Sequence, residues 1–294
     1  MQLRQGEIAI YQVWLDAPPL SHPGHRASEA YEAYEGWLSA AERVRFERFR
    51  VEKPRAAFLL GRATLRSVLG QHLNVDGRRI ELKENDYGRP ELAAPETNLF
   101  FNLSHTSGLL ALAVSRDHEV GIDVEYCARS TDTDAIAEHV FAVEELMELR
   151  TFKDPAARRR HFFKLWTLKE AYIKARGMGL ALPLKDMAFI RGTSHMTTCP
   201  TESGRAGSPD ETEDPFTFDF RFQAAGHVDP RPDAWCFGLH APDALHQMAF
   251  AAWHTEAVRR AGHVRPKIRL LSRYWPPPPT DGDSDGDGDG DGRA

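Results

Sequence analysis

Two long helical patterns of related shape, each set among strand-sized segments, constrain this chain more than any other feature. The first, FLLGRATLRSVLG (58–70), lies in a helical region from about Pro54 to Gln71, with Phe58, Leu59, Leu65, Val68 and Leu69 on one face. The second, FFKLWTLKEAYIKARG (162–177), belongs to the longest helical run. That run starts favourably at Asp154-Pro155 and is stopped by Gly177. Ser39-Ala-Ala-Glu42 reads as a capping box upstream of the first helix. Strand-like pieces stand at 8–15, 80–83, 99–104, 109–115 and 120–125, and again near 187–190, 216–222, 235–240 and 248–253. Thr106-Ser107-Gly108 and the segment 116–119 read as hairpin turns, and 133–150 as a second helical block. Both halves thus read as strand, helices, then strands. The expected fold class is α/β (α+β), with two similar pseudo-symmetric lobes and a ligand cleft between them. The expected N-terminal lobe is 1–117 and the C-terminal lobe 118–255, with a loop insertion at about 192–215. A C-terminal extension covers 256–275, and a Pro/Asp-Gly tail, 276–294, is expected to be disordered.

Composition excludes several function classes. With 41% hydrophobic and 27% charged residues among 294, neither wholesale disorder nor a collagen-like repeat is possible. The net charge of −6 is concentrated in the tail, because 281–294 holds six Asp and one Arg. The remainder is close to neutral and carries no global field for nucleic acid. Three cysteines without a CxxC pair argue against a disulfide framework or a zinc ribbon. The first residues lack the pattern of a secretory signal, and the longest apolar run, 109–114, is strand-sized. A cytoplasmic monomer with no membrane and no nucleic-acid partner is expected.

Two constellations point to chemistry. In Gly121-Ile-Asp-Val-Glu125, a strand would turn Asp123 and Glu125 to one face and Ile122 and Val124 to the other. Two carboxylates about 5 Å apart repel by roughly 3 kcal/mol at an effective dielectric near 20, so a cation should be nearby. An all-oxygen pair favours a hard ion such as Mg²⁺, although a solvated strand end fits the pattern as well. On the long helix, Trp166, Glu170 and Lys174 recur at i, i+4 and i+8 on one face. A Glu four residues before a Lys is also a common exposed pair, but the aromatic start of this column suggests a face passing from core to cleft.

Other patterns carry less. Ser104 and His105 are neighbours on a strand and point to opposite faces, which excludes a nucleophile–base pair, and no GxSxG elbow exists. Both side chains could contact phosphate, and a turn-capping role fits equally. Tyr87-Gly88-Arg89-Pro90 reads as a turn, or as a loop that holds Arg89 for a phosphate. Asp281-x-Asp283-x-Asp285-Gly286 begins like a calcium loop, but Gly292 replaces its final Glu and no helices flank it.

In combination and order these segments resemble a family. GRATLR around Arg62, YGRP (87–90), FNLSHT (101–106), GIDVE (121–125) and FFKLWTLKEAYIKARGMGLALPL (162–184) follow the order seen in 4′-phosphopantetheinyl transferases. The resemblance is to the long, single-chain, two-lobed, surfactin-synthetase-activator-like type and covers roughly residues 1–255. It implies transfer of the phosphopantetheine arm of coenzyme A to a serine of an apo acyl or peptidyl carrier protein. By match to the family motif, Asp123, Glu125 and Glu170 would bind Mg²⁺. Glu170 would also be the base for the serine hydroxyl, and Lys174 would contact the pyrophosphate and steady the leaving group. Ser104 and His105 would bind phosphates, Arg89 stands where the family has Lys or Arg on coenzyme A, and Arg45 and Arg48 match its basic segment. Glu42 departs from the pattern, standing where the type has Lys. The region 139–149 would contribute to carrier docking, although Val140, Phe141, Val143, Leu146 and Met147 would suit a core as well. A Mg²⁺-dependent nucleotide pyrophosphatase and a non-enzymatic interaction module are the alternatives.

Overall fold

The computed structural model describes residues 3–15, 32–95, 97–192, 215–254 and 266–274. In chain order its elements are β1 (Glu7–Trp14), α1 (Ala40–Glu47), α2 (Glu52–Leu73), β2 (Glu81–Glu84), β3 (Pro90–Ala94), β4 (Phe100–Thr106), β5 (Leu109–Ser115) and β6 (His118–Tyr126). There follow α3 (Thr133–Val140), α4 (Val143–Thr151), α5 (Pro155–Arg176), β7 (Met187–Arg191), β8 (Phe220–Ala224), β9 (Trp235–His240), β10 (His246–His254) and β11 (Lys267–Tyr274). The capping box at Ser39 and Glu42 forms at the start of α1. Asp154 caps α5 by accepting from the amides of Ala156 and Ala157, and Gly177 ends it at φ 63°.

Every residue of β5 is buried, as its unbroken apolar run requires of a central strand. It pairs antiparallel with β1 on one side and β4 on the other, and β11 adds in parallel to β1, giving the order β11-β1-β5-β4. A second sheet has the order β6-β10-β9, all antiparallel. Part of the C-terminal extension, for which the sequence reading gave no strand, thus forms β11 and returns to the sheet of the first lobe. Two further two-stranded sheets, β2-β3 and β7-β8, lie outside these layers.

The two main sheets are sandwiched between the two long helices. Leu60, Leu65, Val68 and Leu69 of α2 pack on Tyr11, Leu110 and Leu112 of the first sheet. Phe162, Leu165, Leu168 and Tyr172 of α5 pack on Phe237, Leu239 and Ala249 of the second. Between the sheets, Ile8, Ile10, Ala111 and Ala113 meet Val120, Ile122, Val124 and Phe250. Four layers in the order helix, sheet, sheet, helix result, which is the two-lobed arrangement expected from the repeated pattern.

Two sequence expectations are corrected. The segment 116–119 is not a hairpin turn, because β6 pairs with β10 and not with β5. It is the crossing from one lobe to the other. There the Ser115 hydroxyl accepts from the amides of Asp117 and His118, and Asp117 accepts from the amide of Gly6. The helical block at 133–150 is two helices, broken at Phe141, whose extended backbone drops its ring into the core.

The crossing brings an edge strand of each lobe side by side. Alternate residues of β4 turn towards β6 and satisfy its outward amides. Asn102 Oδ1 accepts from Ile122 at 2.9 Å, Ser104 Oγ from Val124 at 3.3 Å and Thr106 Oγ1 from Tyr126 at 3.0 Å. Side-chain oxygens thus close a seam between two sheets that share no backbone ladder here.

Candidate active site

The acidic cluster is built by a match of two periodicities. Helix α5 crosses the outer face of β6, and four residues of helix advance about 6 Å, close to the roughly 6.6 Å of two strand residues. As α5 runs from Trp166 through Glu170 to Lys174, β6 therefore presents Glu125, then Asp123, then Gly121. The close crossing depends on Gly121. A Cβ there would fall onto the Ala171 carbonyl oxygen and the Ala175 amide nitrogen, and within 2.9 Å of Ala175 Cα. The small residues on both elements let the backbones touch, and the acids one and two steps along are carried into the contact.

Asp123 is 3% exposed. Its Oδ1 accepts from Lys174 Nζ at 2.6 Å and from Ser104 Oγ at 3.1 Å, and Lys174 also donates to Ser104 at 2.8 Å. Its Oδ2 is buried with no hydrogen-bond partner. The carboxylate of Glu125 receives Trp166 Nε1 on Oε1 at 2.7 Å and Arg129 Nη1 on Oε2 at 2.7 Å. Burial, and then the Asp123 charge, hold the Glu125 pKa above its usual value, against the pull of Arg129. Glu170 is half-buried, and among the described residues its carboxyl has no hydrogen-bond or ion-pair partner. Burial first, and the charges of Asp123 and Glu125 after it, push its pKa up to about 7, with Lys174 opposing.

An orphaned buried oxygen and an unpartnered carboxyl raised by two neighbouring acids are the marks of a site short of positive charge. The donor set is all oxygen, which suits a hard divalent cation. Among the described residues no three acidic, histidine or cysteine side chains are already gathered as a ligand group. Instead Lys174 pairs with Asp123, and Arg129 with Glu125.

Of the residues singled out in the sequence, Ser104, Asp123, Glu125, Glu170 and Lys174 are brought together. His105, the next residue of β4, keeps solvent-accessible surface but is crowded by protein atoms, and this partial desolvation, followed by the Lys174 ammonium, keeps its pKa low. Ser104 and His105 do point to opposite sides, buried and exposed. Arg89 reaches the same helix further along. Its turn is fixed by Asn85 Oδ1, which accepts from the amides of Tyr87 and Arg89, and Nη1 donates to the Ala175 carbonyl at 2.7 Å. Arg89 thus caps the end of α5. Arg45 and Arg48 sit on and just after α1, with Arg45 over the Phe58 ring at 5.4 Å, and neither bonds to the acidic cluster. Glu42 accepts two bonds from Arg66, at 2.7 and 3.2 Å, and one ion pair from Arg62 at 3.3 Å, so it ties α1 to α2.

Sequence reasoning missed Arg129, which reaches Glu125 from a turn where no periodicity applies. It also missed the buried pair of Lys169 and Glu145, 2.7 Å apart, directly behind Glu170. A charged residue adjacent to a helical motif looks solvated in sequence, and here it faces the core.

A family model described as the 4′-phosphopantetheinyl transferase superfamily matches residues 119–216, and one described as the 4′-phosphopantetheinyl transferase N-terminal region matches 26–117. The chain is similar to the 4′-phosphopantetheinyl transferase HetI of Nostoc sp., 33% identical over 183 residues that cover 62% of this chain and 73% of the relative. It is similar to the 4′-phosphopantetheinyl transferase Sfp of Bacillus subtilis, 30% identical over 178 residues, covering 60% and 74% respectively. It also resembles the human L-aminoadipate-semialdehyde dehydrogenase-phosphopantetheinyl transferase, 31% identical over 168 residues, covering 52% and 54%.

Proposed function

Since the chain belongs to the 4′-phosphopantetheinyl transferase superfamily, we propose that it moves the phosphopantetheine arm of coenzyme A onto a serine of an apo acyl or peptidyl carrier protein, with Mg²⁺ as cofactor. The observation that carries the proposal is the convergence of Asp123 and Glu125 from β6 with Glu170 and Lys174 from α5.

In this reading Asp123, Glu125 and Glu170 hold the ion, which supplies positive charge to the diphosphate when bound. Lys174 leaves its contact with Asp123 to meet the pyrophosphate, so that a cation faces the oxygen on which charge builds. Glu170, the carboxyl in the cluster without a hydrogen-bond partner among the described residues, accepts the proton of the carrier serine hydroxyl. The serine oxygen bonds to the phosphorus next to the pantetheine arm, the bridging P–O bond breaks, and adenosine 3′,5′-bisphosphate leaves. His105, Ser104 and Arg89, with Arg45 and Arg48 further off, are the proposed coenzyme A contacts.

A carrier needs a docking face beside this site. Phe141 is 1% exposed and Leu149 is buried, while Val143 and Met147, one turn apart on α4, are 66% and 64% exposed. The first pair is core and the second supports docking of an apolar carrier helix.

The test is incubation with coenzyme A, Mg²⁺ and a panel of apo-carriers. Gain of the phosphopantetheine mass on a carrier is expected. Cleavage of coenzyme A with no gain on any carrier would instead favour a pyrophosphatase.

A further inference from the structure

Beyond the acids themselves, the turn that leaves β6 carries a feature the proposed reaction does not use. Arg159 of α5 straps this turn down: its Nε donates to the Cys127 carbonyl at 2.7 Å, its Nη1 to that of Thr131 at 3.1 Å and its Nη2 to that of Arg129. Both Arg159 and Arg129 lie over the Phe163 ring, at 5.2 and 5.4 Å. So anchored, Arg129 brackets Glu125, with Nη1 on Oε2 at 2.7 Å and Nη2 on Oε1 at 3.2 Å. Trp166 Nε1 occupies Oε1 as well.

We propose that Arg129 is an internal counter-cation that competes with the divalent ion for Glu125 and so sets the ion affinity of the site. The inference rests on the reading of the three carboxylates as ion ligands. A two-pronged guanidinium takes the lone pairs in the plane of a carboxylate, the same ones a metal would use. A divalent ion arriving at Glu125 also meets a fixed positive charge. Both effects are relieved when Arg129 swings away, which its exposure allows, since its side chain is 37% exposed. Trp166 is neutral and stays, so it keeps Glu125 aimed at Asp123 and Glu170 during the exchange. Because Arg159 holds the backbone of the turn, Arg129 remains close and returns when the ion leaves. Arg129 is a positioning residue in this scheme and touches no substrate.

The competition fixes a direction that a structural role would not give: loss of Arg129 tightens ion binding. Mn²⁺ is titrated into the full chain at pH 8, without coenzyme A, and free ion is read by electron paramagnetic resonance. Arg129→Gln is expected to lower the Mn²⁺ Kd roughly three- to ten-fold, the scale of a partly exposed ion pair. Arg129→Lys, which keeps the charge and loses the fork, is expected between Arg129→Gln and the parent. A thermal melt of each variant checks the fold. An unchanged or raised Kd in a folded Arg129→Gln protein overturns the inference alone. If the parent protein binds no Mn²⁺, the ion-site reading falls and the inference falls with it.

Discussion

At the scale of single residues, Glu170 is a part-buried carboxyl held at a cost to stability. Its folded pKa of about 7 lies above the ordinary 4.5, so the folded chain retains a proton that the unfolded chain gives up between those values. The part of the stability linked to Glu170 is fully present below pH 4.5 and is lost as pH rises towards 7. In divalent-free buffer, Glu170→Gln is therefore expected to raise the unfolding free energy by about 1–2 kcal/mol at pH 8, a figure reduced for partial exposure, and to leave it unchanged at pH 4. Urea denaturation at the two pH values measures this. The same variant should lose transfer by a factor of about 100 or more, because it cannot take the serine proton and offers an ion only a neutral oxygen. A gain in stability with a loss of activity separates a functional carboxylate from a structural one.

At the scale of elements, α5 is a ruler laid along β6, and its rear face is fixed by a buried ion pair. Lys169 is 1% exposed and donates to the carbonyls of Val140, Leu184 and Met187, while Glu145 is fully buried and accepts from the amides of Ala142 and Phe189. The pair ties the start of α4 and the approach to β7 to the residue next to Glu170. Lys169→Met leaves Glu145 buried and unpaired, with an expected loss of about 3–5 kcal/mol in a denaturation experiment. Adding Glu145→Gln should recover part of that loss. Helix α5, with Asp154, Gly177 and its aromatic column, was legible in sequence because caps and periodicity are local signals. So were β5 and β9, whose apolar runs have turns on either side. The partners of these elements were not legible: the lobe boundary at 117/118 did not reveal that β6 pairs with β10, and the turn around Arg89 did not reveal that its side chain bonds the Ala175 carbonyl. The five residues of the site core could be picked out as separate motifs. Their convergence needed the strand-to-helix register, and Arg129 and Glu145 needed three-dimensional neighbours.

At the scale of the whole molecule, two lobes are joined along β4 and β6 by side chains and not by a ladder. This seam carries Ser104, which belongs to both the seam and the site. Asn102→Ala would leave the Ile122 amide buried without a partner, at a cost of about 1–3 kcal/mol. Two-probe unfolding, with a tryptophan in each lobe, should show this loss without separating the transitions, because the apolar layer between the sheets remains. The expectations for the insertion at about 192–215 and for the tail 276–294 fall almost wholly outside the described residues.

The most direct measurement is single-turnover transfer from coenzyme A to an apo-carrier serine, followed by intact mass for the parent, Asp123→Ala and Glu170→Ala, each verified as folded by its melt. A modified carrier is expected with the parent in Mg²⁺ and none with either variant. Normal turnover by a folded Asp123→Ala or Glu170→Ala protein would contradict the proposed function.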